Sequence, residues 1–94
     1  MHITFVKKIL ADGTVCRKCQ DVESRLSGAG HLARIDEVVI ADERDPLSPG
    51  HALAREFKVS VAPFFIVRRG DVTAIYTIYL QFVREVLEHS IAVH

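Results

Sequence analysis

The chain has 94 residues and a mass of 10.5 kDa, with 49% hydrophobic and 26% charged residues. That suits one domain with one core and excludes a disordered, collagenous or disulfide-stapled chain. Twelve Lys/Arg balance twelve Asp/Glu, so no overall field selects nucleic acid or anionic lipid.

No apolar run approaches the ~20 residues of a membrane span. The opening Met1-His2-Ile3-Thr4-Phe5-Val6-Lys7-Lys8 puts its apolar stretch before its lysines, the reverse of a secretory signal. We therefore expect a cytoplasmic, monomeric protein of one domain over 1–94. Charge is unevenly spread: residues 1–35 carry net +3, residues 36–45 net −4 and the remainder +1. Solvated loop ends around one strand account for this, with a role in partner choice as the alternative.

Residues 2–6 are β-branched or aromatic at several positions and predict a strand. Ala11-Asp12-Gly13-Thr14 breaks the pattern as a loop. From Cys16 the spacing turns helical, with Cys19, Val22, Leu26 and Ala29 on one apolar stripe and Gly28 and Gly30 at its end. Val38-Val39-Ile40, within Ile35 to Ala41, reads as a strand covered on both faces. Ser48-Pro49 signals a helix start, a capping hydroxyl before a first-turn proline, and the helix ends near Lys58. Pro63 opens a strand over Phe64-Phe65-Ile66-Val67, Arg69-Gly70-Asp71 is a tight turn, and Val72 to Tyr79 returns antiparallel. Leu80, Val83, Leu87 and Ile91 give a closing helix. The order β-α-β-α-β-β-α predicts an α/β fold: a four-stranded mixed sheet with helices on both faces and a parallel first crossover.

The only two cysteines stand as Cys16-Arg17-Lys18-Cys19. Structural zinc wants four ligands, and neither a second cysteine pair nor a suitable histidine pair exists, so we expect no metal. A c-type haem would need histidine where Gln20 stands. A purely structural disulfide would close too small a loop to constrain the unfolded chain. A redox dithiol fits the location, after a strand and at a helix start. There a Cys16 thiolate would meet unpaired N–H groups and the positive helix end, worth about 0.3–1 kcal/mol. Exposed Arg17 and Lys18 would each add well under about 1 kcal/mol. Cys19, on the apolar stripe, would be buried and slower to ionise. Cys16 then attacks and Cys19 resolves.

With Phe57-Lys58-Val59-Ser60-Val61-Ala62-Pro63 downstream and a hairpin turning at Gly70, this motif resembles the thioredoxin-like superfamily, and the short element order is nearest its glutaredoxin branch. The resemblance implies a cis Ala62–Pro63 peptide lying against the cysteines, with the Ala62 backbone pairing with an extended substrate and Pro63 shielding the sulfurs. It implies a thiol–disulfide oxidoreductase whose cofactor is none beyond its own Cys16-Cys19 disulfide. Its partners would be a protein disulfide and a reductant. Val15 replaces the usual tryptophan, and Tyr76-Thr77-Ile78-Tyr79-Leu80-Gln81 lacks the glycines and acid that hold glutathione, so glutathione is not the expected reductant. A redox-inactive adaptor of the same fold, or a metal-linked homodimer, are the alternatives.

The remaining candidates take structural roles. Gly28-Ala29-Gly30 follows a helix, not a strand, and reads as a helix end rather than a phosphate loop. Tyr76 and Tyr79 are expected on opposite faces of the last strand, one packed and one exposed. Phe64-Phe65 is expected in the core, with one face able to line a groove toward Cys16.

Overall fold

A computed structural model describes residues 1–88. The strands are β1 (His2–Ile9), β2 (Glu37–Asp42), β3 (Phe64–Arg69) and β4 (Val72–Tyr76), and the helices are α1 (Arg17–Gly28), α2 (Pro49–Phe57) and α3 (Tyr79–Phe82). A short 3-10 turn (Leu32–Arg34) precedes β2, and α3 runs on into a π-type turn (Val83–Leu87) closed by the Glu88 N–H on the Val83 carbonyl at 2.7 Å. The sheet order is β2-β1-β3-β4; β1 runs parallel to β2 and antiparallel to β3, and β3 pairs antiparallel with β4. This is a small α/β fold with a mixed four-stranded sheet.

Alternation along β1 and β3 splits the core into two layers. Ile3, Phe5, Phe65 and Val67 face α1 and α3, where Val22, Leu26, Phe82, Val86 and Leu87 complete one cluster. Val6, Phe64 and Ile66 face the other way, with Val39 and Ala41, onto Leu53, Ala54 and Phe57 of α2. Phe65 stacks between Phe5 and Phe82, with ring centroids 5.1 and 3.9 Å away. Gly30, at φ +74°, ends α1 in the conformation glycine favours, and the His31 N–H reaches back to the Leu26 carbonyl at 2.8 Å.

Several expectations change. β1 extends to Ile9, since Lys7, Lys8 and Ile9 still pair with Ile40, Ala41 and Asp42. β2 is an edge strand buried mainly on the α2 face, leaving Val38 48% exposed; the apolar run does not mean cover on both sides. β4 stops at Tyr76, so Tyr79 is not on a strand. It starts α3, and both tyrosines pack against the same core cluster. Ser48 stands at the N-cap of α2 but its hydroxyl does not cap the helix. It accepts the Asp42 N–H at 3.0 Å, tying the helix start to the end of β2. Ile91 of the expected closing helix lies outside the described residues.

Candidate functional site

The site forms where β1 outruns β3. Their ladder ends at Val6↔Phe64. Extended two residues further, the same register would set Ala62 opposite Lys8, but proline at 63 follows and the ladder does not continue. Even-numbered residues of β1 turn their main-chain groups toward β3, so Lys8 presents a free N–H and carbonyl there. The cysteine segment takes both. Cys16 N–H donates to the Lys8 carbonyl at 2.9 Å, and Lys8 N–H donates to Cys19 Sγ at 3.3 Å. The preceding loop is shaped to deliver it. Asp12 Oδ1 accepts from the Thr14 N–H and hydroxyl at 2.9 and 2.6 Å, Leu10 N–H donates to the Thr14 carbonyl, and Val15 bridges Ile9.

Cys16 is the N-cap residue of α1 and is partly exposed; Cys19, one turn on, is fully buried. Both are free thiols. Burial works against a Cys16 thiolate, but the N–H groups of Cys19 and Lys18, the Cys19 thiol and the Lys8 charge outweigh it and lower the pKa. Cys19 moves the other way. Burial, with the Cys16 sulfur alongside, pushes it up to about 11 despite the Lys8 N–H.

The charge acting on Cys16 is that of Lys8, whose ammonium also pairs with Glu43 at 3.5 Å. Sequence reasoning missed this residue. Lys18 acts on the sulfur through its backbone N–H, and the Arg17 and Lys18 side chains are exposed. A signal was present in the two lysines ending the first apolar stretch, but their reach to Cys16 depends on how the intervening loop folds back.

The Ala62–Pro63 peptide is cis. Ala62 and Pro63 share a cleft of about 40 Å³ with Lys18 and Val22 of α1 and with Phe65 and Tyr79. On the α2 side Ala62 lines a second cleft, of about 150 Å³, with Lys8, His51 and Ser60. The structure thus brings Lys18, Ala62 and Pro63 into one cleft at the first turns of α1; Arg17, Cys16 and Cys19 lie outside its lining. Among the described residues no three His, Cys, Asp or Glu side chains gather as a metal site, and no helix is long and apolar enough to cross a membrane.

The acidic stretch is taken up locally. Asp36 accepts the Ile3 N–H at 2.7 Å, Asp42 binds Arg44 at 2.9 Å, and Glu43 accepts the Ala11 N–H at 2.9 Å. No family model, curated protein or solved structure matches the chain.

Proposed function

We propose that the chain is a thiol–disulfide oxidoreductase of thioredoxin-like fold, nearest the glutaredoxin-type element order, that reduces a disulfide in a partner protein. The observation that carries this reading is the opposite displacement of two thiols one helical turn apart. Cys16, partly exposed, is the easier to ionise, and Cys19, buried, is held protonated. That is the asymmetry a two-step exchange uses.

The Cys16 thiolate attacks one sulfur of the partner disulfide, forming a mixed disulfide and expelling the other partner sulfur as thiolate. Cys19 then loses its proton, to the departing thiolate or to water, and attacks Cys16 Sγ. The mixed disulfide breaks, the partner leaves with two thiols, and Cys16 and Cys19 are joined. Two electrons have passed to the partner. Return to the dithiol takes two electrons from an external dithiol or an equivalent reductant. Ala62, which lines the cleft beside Pro63, supplies the main chain that an extended partner segment would pair with.

Insulin reduction with dithiothreitol as the electron source tests the reading. The chain is expected to speed it, Cys16→Ser to abolish the effect, and Cys19→Ser to accumulate a mixed disulfide. An acceleration that survives Cys16→Ser would sink the assignment, and no acceleration at all would favour an adaptor.

A further inference from the structure

The cleft at Pro63 does not end at Pro63. It shares Lys18, Val22 and Tyr79 with a wider groove of about 300 Å³ between α1 and the corner where β4 gives way to α3. The smaller cleft has no room for a large side chain; the groove does. Ile78 and Leu80, 59% and 57% exposed, place two neighbouring apolar side chains along it. The groove's own lining carries Lys18 and Arg25 against one acid, Asp21; beyond Leu80 lie Arg84 and Glu85, and the Glu88 charge is felt at Tyr79 from the α3 side. None of these three cations has an ion pair among the described residues, whereas Asp42 and Glu43 at the far end of β2 are already paired.

We propose that this groove selects the partner: it holds an apolar side chain and a neighbouring carboxylate of the protein segment that carries the disulfide under attack. The proposal rests on the exchange reading and adds a substrate class to it. A segment lying along Ala62 has the groove as its onward path, since the two depressions share one wall. Its apolar side chain covers Ile78, Leu80 and Tyr79, and its acid meets Lys18 and Arg25. A second copy of this chain is the poorer occupant, because two-fold pairing would set the basic rims against each other.

Symmetrical disulfides of two short peptides test this, one with Leu and Glu flanking its cysteine and the other with Ser and Lys. Each rate is divided by that of dithiothreitol with the same peptide, to remove differences in leaving thiol. The reduced chain should favour the acidic, apolar peptide by about tenfold. The Arg25→Glu, Leu80→Ser double variant should lose most of that preference while its rate with 2-hydroxyethyl disulfide stays unchanged. Equal rates with the two peptides, or a preference the variant keeps, would overturn the proposal alone. So would a dimer in sedimentation that Leu80→Ser splits. No reaction with 2-hydroxyethyl disulfide would instead overturn the exchange reading, and the groove assignment with it.

Discussion

Lys8 serves the cysteine pair three times: its carbonyl holds the Cys16 N–H, its N–H holds Cys19 Sγ, and its ammonium lies within electrostatic reach of Cys16. Only the third contribution belongs to the side chain, so Lys8→Gln separates charge from scaffold. Alkylation by iodoacetamide follows the thiolate fraction. With its pKa lowered, Cys16 should react at a pH below that of an ordinary thiol, and Cys19 should resist until near its value of about 11. Lys8→Gln removes a charge that favours the thiolate, so the Cys16 profile should move to higher pH. Lys8 is part-exposed and shared with Glu43, so the loss is under ~1 kcal/mol, a slowing at neutral pH of up to about fivefold. The same change at Arg17 should move the profile much less. A Lys8→Gln profile that stays put, or shifts to lower pH, would assign the Cys16 shift to the backbone N–H groups and the Cys19 thiol without the Lys8 charge. From sequence, Arg17 and Lys18 stood nearer because they are adjacent to Cys16. At a helix start adjacent side chains splay outward, and the loop that returns Lys8 to the sulfur leaves no periodic signal.

Helix α2 shows what an element needs beyond its own periodicity. Ser48-Pro49 marks its start correctly, yet what fixes its distance from the sheet is Gly50, buried against β2. A Cβ there would run into the main chain of Ile40 and Ala41, which cannot rotate aside as a side chain could. Gly50→Ala should therefore lift α2 off β2 and cost about 1–3 kcal/mol as overpacking. Gly28→Ala, in the last turn of α1 with open space at its Cβ, should be neutral or stabilising by about 0.4–1 kcal/mol. Urea midpoints of the two variants test the contrast, and equal effects would mean that α2 accommodates the methyl group. The helix spacing and the hairpin turn were readable because they are local. The edge position of β2 was not, because Val38-Val39-Ile40 reads alike whether one face or two are covered; only strand order decides, and that is a long-range property. The early end of β4 at Tyr76 has the same origin, since Thr77 and Ile78 would suit a strand but have no β3 partner beyond the Phe65↔Tyr76 pair.

The core and the candidate site meet at Phe65. Its ring is stacked between Phe5 and Phe82 inside the larger cluster, and it also lines the cleft under Pro63. Phe5 belongs to the same cluster and is equally buried, but it does not line that cleft. The pair therefore separates two consequences of one kind of damage. Phe→Leu at either position removes ring contacts but keeps an aliphatic filler, so each should cost about 1–2 kcal/mol, below the ~3–5 of truncation to alanine. If the core only supports the site, the two variants should differ little in their rates with a protein disulfide under conditions where both are fully folded. We expect instead that Phe65→Leu alone slows that reaction severalfold, because the floor that holds Ala62 and Pro63 against α1 drops away. Its rate with 2-hydroxyethyl disulfide should remain that of the parent chain, since Cys16 and its donors are untouched. Guanidinium midpoints establish the matched stability loss, and single-turnover rates with the two disulfides supply the contrast. Equal slowing in both variants would show that partner binding depends on general stability rather than on the shape beneath Pro63.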